Sequence, residues 1–239
     1  SNLLRLESVN LPELSEPEVV RHYVNLSSKN HHVDKDFYPL GSCTMKYNPK
    51  INDSIASLNQ LSSIHPCQPV ESIQGNLEIY YNLEKMLNEI TGMYATTLQP
   101  CAGSHGELTG LFMMKEYHKI KNNSSKEYIL IPETAHGTNP ASVILAGFKV
   151  RQLKTDSRGR VDMIDLEQKL DDNVAGLMLT QPNTLGLFED NIIEISNLIH
   201  SVDALMYMDG ANLNALIGLV KVEHMGFDIV HINLHKTFS

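Results

Sequence analysis

The second part of the chain alternates short apolar runs with stretches of helical periodicity, and this alternation constrains the fold most. Each run has the length of a strand, and each intervening stretch can form a crossover helix. Apolar strands joined through helices are typical of a mainly parallel sheet with helices on both faces. We therefore predict an α/β protein with strands at 128–131, 148–153, 174–180, 204–209 and 228–234, and helices at 106–119, 139–147, 162–171 and 190–201.

The first 75 residues lack this alternation. Ser15 and Glu18 form a capping-box pattern, which predicts a short helix starting there. The segment 31–50 contains two prolines and a glycine and is predicted to be an ordered loop. A stronger helix is predicted from 76 to about 90, before Gly92. We divide the chain into an N-terminal arm with an active-site loop at 1–75 and a large domain at 76–239.

Composition indicates which kinds of partner the protein can bind and in which compartment it works. With 28 acidic against 19 basic residues, the chain lacks the excess of cations that a nucleic-acid backbone binder needs. No run reaches the roughly 18 apolar residues of a membrane-spanning helix, and we expect no secretory leader. The odd number of cysteines, 3, argues against a disulfide framework. A cytoplasmic protein without nucleic-acid or membrane partners is predicted.

Polar residues follow four of the apolar runs, at the strand ends where open α/β sheets bind ligands. Taken singly, each has an ordinary explanation. Asp209 before Gly210 is most often a turn or cap residue, Lys236 a solvated loop lysine, and His136 a loop histidine. Their occurrence together at one edge of the sheet favours a shared chemistry instead.

That chemistry is pyridoxal phosphate binding. A lysine amine at a strand end of low dielectric becomes nucleophilic and forms a Schiff base with the cofactor aldehyde, a role that suits Lys236. The cofactor withdraws electrons only if its pyridine nitrogen stays protonated, which requires a carboxylate beside it. Asp209 lies one strand-to-strand step upstream of the lysine.

Other contacts of the cofactor can be assigned along the chain. Gly103 and Ser104 stand where a helix is predicted to begin, and helix N-termini bind phosphate through free N–H groups. His136 could lie flat against the ring. Asn183 or Thr184 could donate a hydrogen bond to the phenolic oxygen.

A zinc site is the competing hypothesis, because His231 and His235 are four residues apart. That spacing brings two imidazoles together on a helix. On a strand that continues through His235, the two residues would lie about 13 Å apart, too far for one ion. No metal is therefore predicted. The glycines near 103 also lack the Lys-Ser/Thr ending of a nucleotide-binding P-loop.

Six ordered motifs resemble one family. The chain is similar to the glycine decarboxylases, or P-proteins, of the glycine cleavage system, and in particular to the second-subunit type found where the enzyme is divided in two. The resemblance runs from about residue 11 to the end. Its motifs are FYPLGSCTMKYNPK, AGSHGELTGL, AHGTNPASV, QPNTLGLFE, MDGANLNAL and HINLHKTF.

The resemblance implies the type I fold of pyridoxal phosphate enzymes, with this chain forming the large domain. It also implies where the family's functional positions fall. These are the Schiff-base lysine Lys236, the pyridine partner Asp209, the phosphate turn at Ser104, the ring-stacking His136, His235 near the cofactor, and an active-site loop with Ser42, Cys43 and Lys46.

The implied reaction is decarboxylation of glycine, with transfer of the aminomethyl group to the lipoyl arm of the H-protein. The implied partners are a first P-protein subunit and the lipoylated H-protein, in a hetero- or homo-oligomer. Family members continue past the lysine through the rest of the large domain and a small C-terminal domain, so the large domain of this chain is expected to be truncated just after Lys236. We therefore expect this chain to be a fragment that is inactive alone.

Two other functions remain open on the residues. Another type I pyridoxal phosphate enzyme, such as an amino-acid decarboxylase or an aminotransferase, would carry similar Asp, Lys and His elements. The runs PLGSCTMK and HGTNPAS distinguish the glycine decarboxylases from these enzymes. A non-catalytic scaffold subunit is the third possibility, although such a chain has no physical reason to keep both Asp209 and Lys236.

Overall fold

A five-stranded parallel sheet forms the centre of the protein in a computed structural model that describes residues 3–36, 46–123 and 125–238. Its spatial order is β2-β1-β3-β4-β5, so the order reverses between β1 and β3. All four pairings are parallel. The α/β class predicted from the apolar runs is confirmed. The strands are β1 (Tyr128–Pro132), β2 (Lys149–Leu153), β3 (Val174–Thr180), β4 (Leu205–Gly210) and β5 (Ile229–Ile232).

Helices cover both faces of this sheet, as predicted. Side chains alternate along each strand, so that in β4 Met206 and Met208 join one core cluster and Tyr207 joins the other. Helices α7 and α8 pack on the first cluster, and α5 and α6 on the second. The helices are α1 (Glu16–Ser27), α2 (Lys50–Ala56), α3 (Asn59–Ser62), α4 (Gln74–Thr91), α5 (Gly103–Ile120), α6 (Thr138–Leu145), α7 (Met163–Lys169), α8 (Ile192–Ser201) and α9 (Leu234–Thr237).

The described part of the N-terminal region contributes little to this core. Helices α1 to α3 have no buried residue, and the first buried side chain along the described chain is Leu87 in α4. The predicted capping box is present, because the Ser15 N–H donates to a Glu18 carboxylate oxygen at 2.9 Å. Gly92 ends α4 with a φ of 78°, as its position predicted. The domain boundary at residue 75 stays a prediction. No helix within the described ranges is long and apolar enough to span a membrane.

The end of β5 differs from the prediction of a strand over 228–234. The strand stops at Ile232, and the one-turn helix α9 begins at Leu234 and carries Lys236. The Asn233 carbonyl accepts the N–H groups of Lys236 at 3.0 Å and Thr237 at 3.1 Å, which closes this turn. Apolar Leu234 continues the strand pattern in sequence, so periodicity could not locate the change.

Two glycines let α5 lie directly on the strands beneath it. A Cβ on Gly110 would stand 2.3 Å from Cε2 of Tyr207, and one on Gly106 would stand 3.2 Å from Cβ of His231. The first distance is far below van der Waals contact. Glycine at 110 is therefore required by the close approach of α5 to β4.

We expect Gly110→Ala to destabilise the protein by about 1–3 kcal/mol, because the buried Tyr207 ring must move. Urea denaturation of the full-length protein measures this change. Gly75→Ala is the matched control, since Gly75 also lies in a helix but a Cβ there would meet nothing within 4 Å. The control should be neutral or stabilising by up to ~1 kcal/mol. Equal effects of the two substitutions would contradict the close packing of α5.

Candidate active site

The site is built where β3, β4 and β5 end at the same edge of the sheet. Parallel pairing places Asp209 of β4 between Thr180 of β3 and His231 of β5 in register. Register partners in parallel strands point to the same face, which here is the face covered by α5 and α6. Of these three residues, the sequence analysis assigned only Asp209 to the cofactor site, and the convergence of the other predicted strand-end residues stays a prediction.

The carboxylate of Asp209 is enclosed by hydrogen-bond donors. Oδ1 accepts the Ala211 N–H at 2.9 Å and lies 3.1 Å from Nε2 of His231. Oδ2 accepts the side-chain amide of Asn139, from α6, at 3.0 Å and the Thr180 hydroxyl at 3.4 Å. The residue is only 2% exposed. These donors replace the water that a carboxylate loses on burial.

The pKa of Asp209 is held well below its ordinary value. Burial alone raises this pKa, but the hydrogen bond and charge of His231, together with the donors Asn139 and Ala211, lower it by more. The carboxylate therefore stays ionised at neutral pH. It provides a fixed negative charge at the strand end, as the prediction for the pyridine partner requires.

His231 connects this carboxylate to a second buried group, the Tyr207 hydroxyl. The sequence analysis considered His231 only as a zinc ligand and missed this connection. Nδ1 of His231 lies 3.0 Å from the Tyr207 hydroxyl, while its Nε2 faces Asp209. Burial, then the nearby carboxylates of Asp209 and Glu107, raise the pKa of Tyr207, so it remains a phenol. The available signal was the i, i+2 spacing of Tyr207 and Asp209, which places both on one face of β4.

Glu107, Asp209 and His231 offer ligand atoms that all lie within 4.8 Å of one another, the only such group of three among the described residues. The Glu107 oxygens accept Thr138 Oγ1 at 2.8 Å and Ser142 Oγ at 2.9 Å. The carboxylates are thus held by donors from the protein itself. His235, the second residue of the predicted zinc alternative, is exposed and does not belong to this group.

Lys236 lies on α9, immediately beyond the strand next to Asp209, and is half-buried. Its carbonyl accepts a hydrogen bond from Nζ of Lys46 at 3.0 Å. The end of the predicted active-site loop is therefore in contact with the residue predicted to bind the cofactor. Ser42 and Cys43 of that loop lie outside the described residues.

The N-terminus of α5 faces the same region. The cap residue Ala102 has no side chain that could accept from the first-turn N–H groups, which include those of Gly103 and Ser104. A Cβ on Gly103 would lie 2.3 Å from the side-chain nitrogen of Asn233, so α5 closely approaches the residue before α9. Asn233 is buried, and its Oδ1 has no hydrogen-bond partner. Beside this contact, a cavity of about 480 Å³ is lined by Gly103, Asn233 and His235, among others.

The other predicted contact residues make hydrogen bonds within the protein. Nδ1 of exposed His136 lies 2.8 Å from Oγ1 of Thr138, at the start of α6. The Asn183 amide donates to the Gly159 carbonyl at 2.9 Å and accepts two backbone N–H groups, so it supports its own turn. The Thr184 hydroxyl donates to the carbonyl of Thr134. The cofactor roles of His136, Asn183 and Thr184 stay predictions.

Comparisons with known proteins agree with this architecture. The family model for class-V aminotransferases matches residues 115–239. The chain belongs to this family. Pyridoxal phosphate is the cofactor of class-V aminotransferases.

Closer relatives carry a more specific name. A protein of Prosthecochloris aestuarii named as a probable glycine dehydrogenase (decarboxylating) subunit 2 is 58% identical over 99% of this class-V chain. A protein of Thermotoga maritima with the same name is 56% identical over 99% of the chain. The alignments cover 48% and 50% of these relatives, so the chain spans about half of their length.

Solved structures show the same fold. A glycine decarboxylase (P-protein) in an inhibitor-bound form superposes with a TM-score of 0.71 at 19% identity, covering 94% of this chain and 49% of that one. A glutamate decarboxylase domain from Vibrio parahaemolyticus gives 0.70 at 17% identity, covering 99% of this chain and 56% of that one. The type I large-domain fold implied by the sequence resemblance is confirmed.

Asp209→Asn tests the charge of the buried carboxylate. An Asp in an unfolded chain titrates near about 3.9, and the lowered folded pKa means that ionised Asp209 stabilises the fold above that pH. The stabilisation is lost as the pH falls towards the folded pKa. We expect Asp209→Asn to reduce the free energy of unfolding of the full-length protein by about 1–3 kcal/mol at pH 7, and by less at about pH 3, which is below the unfolded pKa.

The control for this measurement is Glu116→Gln, which removes an exposed carboxylate paired with Lys119. It should change stability by less than about 0.5 kcal/mol at either pH. A loss in Asp209→Asn that is the same at pH 7 and at about pH 3 would show that the charge of Asp209 does not contribute.

Proposed function

We propose that the chain is the cofactor-binding part of a glycine decarboxylase that acts in the glycine cleavage system. The observation that carries this proposal is the ionised, enclosed carboxylate of Asp209 on the strand next to the one that leads into Lys236. Burying an ionised carboxylate costs free energy, so its presence calls for a functional explanation. Pairing with the protonated pyridine nitrogen of pyridoxal phosphate provides that explanation.

The residues present fit this cofactor. Asp209 offers an anion to the pyridine nitrogen, Lys236 an amine for covalent attachment, and the first turn of α5 a set of N–H groups for the phosphate. When bound, pyridoxal phosphate supplies an electron sink for the electron pair left when the substrate carboxylate departs. His136 would lie against the ring and His235 beside the cofactor, as the sequence predicts.

The structure suggests what the other groups do. Lys46 would hold the carbonyl of Lys236 and so fix the turn from which the lysine side chain extends. Asn139 and Ala211 would keep the Asp209 carboxylate in one orientation. The carboxylate would then keep the same hydrogen bonds when the cofactor binds and would not need to lose bound water. Such preorganisation favours electrostatic catalysis.

The substrate and partners follow from the relatives. Eight relatives at 53–58% identity share the name glycine dehydrogenase (decarboxylating) subunit 2. We propose that glycine is the substrate, that a first P-protein subunit completes the enzyme, and that the aminomethyl group passes to a lipoylated H-protein. A cytoplasmic location is part of the same proposal. The shared name does not favour a different decarboxylase or an aminotransferase.

Covalent trapping tests cofactor binding at Lys236. We expect the full-length protein to bind pyridoxal phosphate with an absorbance band above 400 nm (roughly). Borohydride reduction should then fix the cofactor on the peptide that contains Lys236. Lys236→Met should abolish fixation, whereas Lys221→Met, which removes a surface lysine paired with Glu89, should leave it unchanged. Fixation at another lysine, or none in the wild type, would overturn the proposal.

Glycine specificity is tested by exchange of labelled carbon dioxide into the glycine carboxyl group, in the presence of the partner subunit and the lipoylated carrier. Exchange should depend on glycine and on the carrier, and it should be absent in Lys236→Met. Cofactor binding without exchange would favour another type I enzyme or a scaffold subunit.

Lys46→Met tests the contact with the Lys236 carbonyl. Loss of a hydrogen bond from a charged group costs about 1.5–3 kcal/mol, and 1.4 kcal/mol corresponds to tenfold in affinity. We therefore expect the affinity of the full-length protein for pyridoxal phosphate to fall by at least about tenfold. Lys50→Met is the control, since Lys50 contacts exposed Asp34 instead. Equal affinities of the two variants would exclude a role for Lys46 in cofactor binding.

A further inference from the structure

Three buried side chains form a linear hydrogen-bonded series under the N-terminal half of α5. The Tyr207 hydroxyl lies 3.0 Å from Nδ1 of His231, and Nε2 of His231 lies 3.1 Å from Oδ1 of Asp209. Tyr207 is fully buried, His231 is 7% exposed and Asp209 is 2% exposed. Water therefore has little access to any atom in the series.

The series has a defined direction of donation. A carboxylate can only accept, so Nε2 of His231 must carry a hydrogen that it donates to Asp209. When the imidazole is neutral, Nδ1 is the acceptor and the Tyr207 hydroxyl donates to it. When the imidazole is charged, Nδ1 donates and the Tyr207 hydroxyl can turn to the Gly106 or Glu107 carbonyl, each 3.4 Å away. In both states Asp209 receives a donor from His231.

The packing of α5 and β5 keeps this imidazole in place. Register pairing of Asp209 with His231 fixes the two backbones side by side. Gly106 leaves the space that Cβ of His231 needs, since a side chain there would approach to 3.2 Å. The charged and titratable groups around the ring are Asp209 and Tyr207 from β4 and Glu107 from α5. Glu107 is itself held by Thr138 and Ser142 of α6.

A carboxylate that faces a pyridine nitrogen competes with it for one proton. In a site of low dielectric the pair can exist as carboxylate and pyridinium, or as carboxylic acid and neutral pyridine. A hydrogen bond to the carboxylate stabilises its charged form and so makes it the weaker base. The donor to Asp209, Nε2–H of His231, can therefore determine whether the proton lies on the carboxylate or on the pyridine nitrogen.

We propose that His231 is a positioning residue whose Nε2–H keeps the shared proton on the pyridine nitrogen of bound pyridoxal phosphate, with Tyr207 fixing the imidazole tautomer. This inference rests on the proposed function, because it requires the cofactor to pair with Asp209. It assigns a role to two buried groups, His231 and Tyr207, that the proposed function leaves without one. The electron-withdrawing power of the cofactor would then depend on His231 through its hydrogen bond to Asp209.

The nitrogen NMR signal of cofactor labelled with 15N in the ring tests this directly, because its chemical shift distinguishes pyridinium from pyridine. The wild-type full-length protein should give the pyridinium signal at neutral pH. In His231→Leu we expect the ratio of nitrogen-protonated to carboxyl-protonated pairs to fall about tenfold, equivalent to one pKa unit. His231→Gln, which can still donate an N–H to Asp209, should restore most of the pyridinium signal.

Two further variants keep the test interpretable if His231→Leu folds poorly. Tyr207→Phe removes only the hydroxyl that fixes the tautomer, and its shift should fall between wild type and His231→Leu. His118→Leu is the matched control, because His118 is a buried histidine, 3% exposed, whose Nε2 contacts the Ala175 carbonyl far along α5 from Gly106. It should leave the nitrogen signal at its wild-type position whatever it does to stability.

The outcomes separate this inference from the proposed function. A wild-type protein that takes up no pyridoxal phosphate would overturn both. A wild type that binds the cofactor with a protonated nitrogen, while His231→Leu and Tyr207→Phe leave the signal unchanged, would overturn the role of His231 alone. A signal that shifts equally in His118→Leu would also overturn it, since any buried histidine would then have the same effect.

Discussion

The buried negative charge of Asp209 is the constraint on which the site depends. An isolated carboxylate in an apolar interior would take up a proton instead of keeping its charge. Here four parts of the fold supply donors to one carboxylate, namely Asn139 from α6, Thr180 from β3, Ala211 after β4 and His231 from β5. The charge therefore persists only while α6, β4 and β5 keep their relative positions. Fold stability and the chemistry of the strand ends are tied together at this residue.

The site also depends on the close packing of α5 against β4 and β5. Its glycines at 106 and 110 let the helix backbone rest on His231 and Tyr207, and its first turn brings N–H groups to the same edge of the sheet. One helix thus covers the hydrogen-bonded series of Tyr207, His231 and Asp209 and also carries the first turn that is proposed to bind phosphate. A displacement of α5 would disturb both the tautomer of His231 and the turn proposed to bind phosphate. The two ends of the proposed cofactor site are mechanically coupled through this helix.

Sequence patterns predicted the strands because parallel strands buried on both faces must be apolar along their whole length, as β3 is. Asp209, near the end of β4, could be recognised for the same reason, because it is the charged residue in an otherwise apolar strand. The end of β5 was not, because Leu234 is apolar whether it continues a strand or begins a helix. The role of His231 was missed because its partners belong to a neighbouring strand. The spacing of residues along one strand does not show which residues of another strand lie beside them. Asn183 illustrates the converse, since the hydrogen bonds of a polar residue after a strand can go to its own turn and to a neighbouring loop at Gly159.

The short helix α9 gives the lysine a geometry that a strand could not. Along a strand, side chains alternate between the faces of the sheet, so a lysine five residues after His231 would point to the face opposite that of the histidine and of Asp209. The turn closed at Asn233 frees Lys236 from that alternation, and the contact with Lys46 fixes the new direction of the backbone. His231 can then remain under α5 with Asp209 while Lys236, five positions later, belongs to a separate element. The change from strand to helix after Ile232 is what allows one segment to supply both the support for the carboxylate and the amine.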